Sequence, residues 1–307
     1  MQNCAVFEEK IKVLCTLIKN FDFSKISTIR IGPICKWYAV VHSTSNLIRV
    51  LKLCKEHHVS FFVVGGASNI LFCGKYFNGL VLRIGMNKIS CQGTTLSVYA
   101  GAKLGCVVNY CAKHGLSGFE NLVSIPATIG GAVAMNAGAF GAQIADVLKS
   151  VDVLNLTNFS VERFSVLEYF PKHHQSVFTN NFNYVIIKAD FHLTLKSVFE
   201  IKKTVVSNIL KRANTQKVCF PNLGSIFKRA EFKFPPAYYV EKCGLKSFCQ
   251  GEAMVSTIHA GFIVNKQNAT SADVCSLIQK VQNKVLSDFG VSLEPEIIVI
   301  GEENGFV

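Results

Sequence analysis

The sequence predicts an α+β protein in two units, a larger one over residues 1–196 and a smaller one over 197–307, on three observations. Half of the 307 residues are apolar and 17% are charged, which excludes a disordered chain and supplies large cores without disulfides or metals as staples. Ahead of the boundary, β-branched and aromatic runs alternate with stripes of helical period. From Val198 a sustained helical stripe, Val198, Ile201, Val205 and Ile209, replaces them.

The elements follow in order. Phe7, Ile11, Leu14 and Ile18 share one helical face and predict the first helix. Ser45 is a natural cap for a second, apolar through Leu47, Val50 and Leu51. The run Val59 to Val64 reads as a strand ending at Gly65 and Gly66, and Leu80 to Ile84 as another. A helix over 103–113 stops at Gly115. Strands are expected to dominate to about Leu195, Tyr184 to Leu195 being the longest. In the smaller unit a strand is expected over Gly261 to Val264. A helix capped by Ser271 follows, with the stripe Val274, Leu277, Ile278, Val281 and Val285; Gly290 ends it before a closing strand, Glu296 to Ile300.

Lys and Arg number 32 against 20 Asp and Glu, a net charge of +12, so the surface attracts anions or serves solubility alone. No helix-turn-helix or aromatic-interleaved basic motif points to nucleic acid. Twelve cysteines are scattered without a CxxC pair, neither a zinc site nor a disulfide framework, and suit a reducing cytoplasm. The N-terminus lacks the basic and apolar regions of a signal peptide. Asn121 to Ala145 carries no charge, yet Pro126, its glycines and its polar residues break it too often for a membrane span. Such a stretch suits backbone lying against a buried ligand.

Four segments are candidates for chemistry. Gly65, Gly66, Ala67, Ser68 and Asn69 follow a strand, where successive N–H groups converge on a phosphate, although the same residues also make an ordinary tight turn. Ile125, Thr128, Gly130, Gly131, Asn136 and Gly138 belong to the uncharged stretch and offer a second run of backbone donors. Ser225, after Gly224 and near Lys228 and Arg229, is placed to donate a proton beside an anion. Glu294 and Glu296 flank Pro295; they share a side if Pro295 keeps the backbone extended, and are otherwise an acidic turn.

In their order along the chain, TIRIG (Thr28 to Gly32), GGASNIL (Gly65 to Leu71), GLSGFE (Gly115 to Glu120), IPATIGGA (Ile125 to Ala132), MNAGAFG (Met135 to Gly141), GSIFK (Gly224 to Lys228), HAGFIVN (His259 to Asn265) and LEPE (Leu293 to Glu296) resemble the UDP-N-acetylenolpyruvoylglucosamine reductase family. These are flavoenzymes of peptidoglycan precursor synthesis. The resemblance implies an FAD-binding domain of the vanillyl-alcohol-oxidase, PCMH type, followed by an α+β substrate-binding domain. It implies FAD as cofactor, held by the two glycine-rich segments with Ile186 near the flavin, and NADPH as co-substrate. The partner implied is a UDP-sugar, with no nucleic acid, membrane or metal, in a cytoplasmic monomer. In that family hydride reaches the enolpyruvyl β-carbon while charge builds on the adjacent carboxylate. The catalytic serine and glutamate fall on Ser225 and Glu296; Arg212, Lys228, Arg229 and His259 fall near the substrate. The short interval from Lys228 to His259 resembles the subgroup without a tyrosine-bearing lid.

Two departures bear on cofactor and catalysis. Ala67 and Ala127 stand where the family has glycines, each adding a methyl beside the cofactor. His174 stands in the place of the family's catalytic arginine, exchanging a permanent charge and a bidentate fork for one that depends on pH. A protonated His174 would give activity that falls as pH rises. The same exchange leaves open a silent flavin-binding homologue, or a flavin oxidoreductase acting on another substrate.

Overall fold

The computed structural model describes residues 2–168, 176–179, 181–216, 218–229 and 232–301. Helix α1 (Gln2–Lys12) buries Phe7 and Ile11 and stops ahead of the strand Thr16–Asp22. Ile18 continues the helical spacing in sequence but lies in that strand, opposite Tyr38 and 43% exposed. The strand is the edge of a four-stranded sheet, so its pleat overrides the period carried over from α1. The order is Thr16–Asp22, Ile34–Val41, Tyr76–Ile84, Phe61–Val64, the first pair antiparallel and the others parallel. Helix α2 (Thr44–Glu56) bridges two of these strands and buries Leu47, Val50, Leu51 and Cys54. Its cap is Ser43, not Ser45: Ser43 has the extended backbone a cap requires and accepts from the Asn46 N–H at 3.2 Å.

A five-stranded antiparallel sheet follows, ordered Val161–Ser165, Leu148–Asn155, Tyr184–His192, Thr95–Tyr99, Ile89–Gln92. Helix α3 (Leu104–His114) packs beside it and ends on Gly115, whose φ of +67° suits glycine. The expected run of strands to Leu195 is interrupted by the six-residue helix α4 (Ile129–Ala134) inside the uncharged stretch. Tyr184–His192 also stops short, and Thr194–Leu195 pairs instead with Leu116–Ser117. No helix among the described residues is long and apolar enough to cross a membrane.

Helix α5 (Val198–Thr215) begins at the change of period yet rests on the first unit. Its buried Asn208 donates to the Glu120 carbonyl (3.3 Å) and to Asn121 Oδ1 (2.9 Å). Beyond it, a four-stranded antiparallel sheet is ordered Asn222–Ser225, Phe262–Asn265, Ala253–Val255, Cys249–Gln250. Helices α6 (Pro236–Lys242) and α7 (Ser271–Phe289) pack over it. The α7 cap is Thr270, one residue before the expected Ser271, because Thr270 and Asp273 form a reciprocal capping box; Gly290 closes the helix at φ +66°.

The two units are sewn together. The closing strand is shorter than expected, Ile298–Ile300, and runs parallel to Ile70–Phe72 of the first unit. Ile29, Ile31 and Leu71 are buried in the core of the second unit. Thr28 Oγ1 donates to the Asn222 carbonyl at 2.7 Å, and Asn265 Nδ2 to the Ile29 carbonyl at 3.0 Å.

Candidate functional site

A cavity of about 790 Å³ opens between the units. One wall is the loop Gly65 to Asn69, which links the strands Phe61–Val64 and Ile70–Phe72. Facing it is the segment from Ser124 to Gly131 that leads into α4. The glycines let these walls touch. A Cβ on Gly65 would come under 3.0 Å from Thr128 Oγ1, and one on Gly66 would reach the Pro126 carbonyl oxygen at 3.0 Å. A Cβ on Gly130 would press on Ala100 at 2.9 Å. Thr128 caps α4, accepting from the Gly131 N–H at 3.4 Å.

The backbone N–H groups of Gly66, Ala67, Ser68 and Asn69 find no acceptor among the described residues. Unpaired amides in succession on an uncharged wall form an anion-binding concavity, and they fit the diphosphate of FAD. Ala67 holds φ at +48°, the left-handed region that favours glycine. Ile186, on the strand Tyr184–His192, and Ile125 and Gly138 supply further lining. Asn136 does not line the cavity. It is fully buried, donating to Gln143 Oε1 at 3.1 Å and accepting from the Ala145 N–H at 3.0 Å, so it pins the loop after α4.

The other face is built by the second unit. Ser225 ends the strand Asn222–Ser225, and Gly224 before it has φ +81° with its N–H on Asn222 Oδ1 at 2.9 Å. Glu296 precedes the closing strand, and both side chains reach the same cavity. The Asn69 side chain donates to the Glu296 carbonyl at 3.1 Å, linking the acid to the glycine-bearing loop. Burial pushes the Glu296 carboxyl up to about 7, against the opposing pull of the Lys228 charge. Glu294, by contrast, is exposed and ion-paired to Lys228, so the two glutamates have different surroundings. Lys228 is engaged by Glu294 and is not among the residues lining the cavity.

Arg212, Arg229 and His259 do line the cavity. Arg212 donates from Nε to Gln216 Oε1 at 3.2 Å and lies over the Phe140 ring at 5.8 Å. Burial holds its pKa below the ordinary arginine value, and no carboxylate pairs with it among the described residues. His259 accepts the Gly261 N–H on Nδ1 at 3.1 Å. This assigns the ring proton to Nε2. Burial lowers the His259 pKa, which keeps the ring neutral. His174 lies outside the described residues. Thr28, Phe140 and Gln216 are cavity residues that sequence reasoning missed as site residues; Thr28 and Phe140 stood only inside the TIRIG and MNAGAFG matches, and Gln216 had no local signal.

Residues 36–161 match a family described as an FAD binding domain, and residues 215–300 one described as UDP-N-acetylenolpyruvoylglucosamine reductase, C-terminal domain. Over 292 residues the chain is 34% identical to the UDP-N-acetylenolpyruvoylglucosamine reductase of Caldanaerobacter subterraneus subsp. tengcongensis, covering 94% of each chain. It is 35% identical over 300 residues to that of Agathobacter rectalis, covering 93% of this chain and 94% of the relative. The crystal structure of the Thermus caldophilus reductase superposes with a TM-score of 0.78 at 25% identity, covering 94% of this chain and 99% of that one.

Proposed function

The chain belongs to the UDP-N-acetylenolpyruvoylglucosamine reductase family, and on that premise we propose that it reduces UDP-N-acetylglucosamine enolpyruvate to UDP-N-acetylmuramate on FAD, with NADPH as hydride donor. The carrying observation is that Ser225 and Glu296 share one cavity with the glycine-bearing loops of the FAD-binding unit. Residues 1–196 form the FAD-binding domain in this reading and 197–307 the substrate-binding domain, with α5 docked on the former.

FAD, when bound, supplies the hydride that saturates the enolpyruvyl double bond. Its diphosphate is assigned to the amides of Gly66 to Asn69, and the ring system to the end lined by Ile125, Gly138 and Ile186. Ser225 Oγ gives a proton to the substrate α-carbon. Glu296, neutral below about pH 7, donates a hydrogen bond to the carboxylate on which charge accumulates. Arg212 offers that anion a cation already desolvated, and Gln216 holds the guanidinium in place. The His259 Nε2–H is a neutral donor to the sugar or its diphosphate, and Arg229 an exposed cation at the opening. His174 is assigned the arginine's role. Residues 236–255 turn back as α6 and a strand pair whose Tyr239, Val240 and Ala253 are buried in the second core, which supports the subgroup without a lid. A cytoplasmic monomer completes the reading.

The test is to purify the protein, record its flavin spectrum, bleach it anaerobically with NADPH and add the enolpyruvyl substrate. Prompt reoxidation is expected. Reduction without reoxidation would assign another acceptor, flavin that resists reduction would assign a silent binder, and absence of flavin would overturn the reading.

A further inference from the structure

Away from the cavity, helix α5 turns an apolar line to solvent. Its inward face is made by Ile201 and Asn208, which are buried, and by Val205, which packs on the core of the first unit. At about 100° per residue, Phe199, Val206 and Leu210 fall within about 40° of one another and roughly opposite that face. They are 75%, 54% and 58% exposed. Apolar side chains scattered singly over a surface are ordinary, but these three form one ridge along an 18-residue helix. Neither the core of the first unit nor the cavity uses them.

The charges beside the ridge are nearly all of one sign. Lys202 and Lys203 flank it on either side, with Lys196 and Lys211 near its two ends. All four are exposed, and none forms an ion pair among the described residues. Glu200 is the only acid between Val198 and Thr215. The Lys196 N–H donates to the Gly115 carbonyl at 2.9 Å, which brings the end of α3, with Lys113 and His114, beside the start of α5. A second copy of the chain seated on the ridge would meet like charge. An anionic lipid surface instead supplies negative headgroups for the lysines and an apolar boundary for Phe199, Val206 and Leu210.

We propose that α5 is a docking surface for an anionic lipid bilayer, with the ridge entering the headgroup boundary and the lysines resting on the headgroups. The helix lies on such a surface and does not cross it, since no described helix is long and apolar enough to span a membrane. Arg212 belongs to the inward side of α5 and lines the cavity, so the docking face is separate from the reaction proposed above. It adds a membrane partner where the family resemblance implied none.

The experiment sediments the purified holoprotein with vesicles of equal parts phosphatidylglycerol and phosphatidylcholine, and with vesicles of phosphatidylcholine alone. Partition to the first and not the second is expected, and it is expected to be lost in about 1 M salt, where charges are screened beyond about 3 Å. Lys202→Gln and Lys203→Gln are each expected to weaken partition by about fivefold. Phe199→Ser combined with Leu210→Ser is expected to weaken it by about tenfold or more, with flavin content and turnover unchanged. Equal partition to both vesicles, partition to neither, or variants that bind as the wild type does overturns the proposal. Concentration-dependent dimerisation that the Phe199→Ser, Leu210→Ser protein loses also overturns it, because the ridge is then an interface between copies. The comparison of the two vesicles decides the matter with the wild type alone, even if a variant fails to fold.

Discussion

Glu296 donates its backbone N–H to the carbonyl of Ile226, the residue after Ser225, at 2.7 Å. An isolated bridge between Phe227 and Pro295, and the Lys228 N–H on the Glu294 carbonyl at 2.8 Å, extend this contact into a short ladder. This backbone ladder fixes the serine and the carboxyl relative to each other, which preorganises donor and acid before substrate arrives.

Ser225→Ala removes one oxygen and leaves that ladder intact. Flavin content is expected to stay at the wild-type level, while flavin reoxidation by substrate slows by about 10²- to 10⁴-fold, the usual worth of a positioned proton donor. Stopped-flow absorbance checks it, and a reoxidation rate equal to the wild type removes Ser225 from the role.

The Glu296 carboxyl titrates at about 7 in the folded protein, above its ordinary value of 4.5. Between those values the folded state holds a proton the unfolded state has lost, so stability declines as pH rises through this window and stays reduced above it. The whole penalty is at most about 3 kcal/mol. Glu296→Gln, uncharged throughout, is expected to match the wild type near pH 5 and exceed its stability near pH 8, with turnover reduced at both. Urea unfolding at the two pH values measures this; identical pH dependence in the two proteins would contradict it.

Gly65→Ala drives a methyl against Thr128 Oγ1, and a loss of about 1–3 kcal/mol of stability is expected from overpacking. Thr128→Ala alone loses the α4 cap, worth about 1 kcal/mol. Combined, the two are expected to cost less than their sum, because the second substitution removes the atom that the first one strikes. Thermal unfolding of the four proteins closes the cycle, and additive losses would place the Gly65 clash elsewhere.

Arg212 carries a desolvated charge, and among the described residues its polar partner is Gln216. Arg212→Ala is expected to raise KM for the enolpyruvyl substrate by about 10- to 100-fold, as expected for losing a charged contact worth about 1.5–3 kcal/mol. The melting temperature is expected to hold, since a buried cation without a carboxylate contributes little to stability. Steady-state kinetics beside a melting curve separate the two; unchanged KM with a lowered melting temperature would make Arg212 structural.

The sequence made the helices legible where a stripe and a stop signal coincide, as in α3 with Gly115 and α7 with Gly290. It failed at Ile18, where a four-residue step from Leu14 satisfies a helix while the Tyr38 pairing satisfies a strand; only the neighbouring strand decides between them. The same limit governs the site. Ser225, Glu296 and the glycine loops stand out in the sequence, where local chemistry leaves turn readings open for the loop and the glutamates and the resemblance to a known family names the serine and the acid. The engagement of Lys228 by Glu294, the inward turn of Asn136 and the use of Gln216 to hold Arg212 depend on which residues meet after folding. The pairing of Ile298–Ile300 with Ile70–Phe72 is set by tertiary packing across nearly the whole chain, and nothing in either segment announces it.

That last pairing also orders events in time during synthesis. A ribosome releases the chain from its N-terminus, so the segment Ile70–Phe72 emerges early and waits for Ile298–Ile300 to complete its ladder. Glu296 arrives only just before. Until then the nascent protein has the amide-lined wall without the acid that shares its cavity.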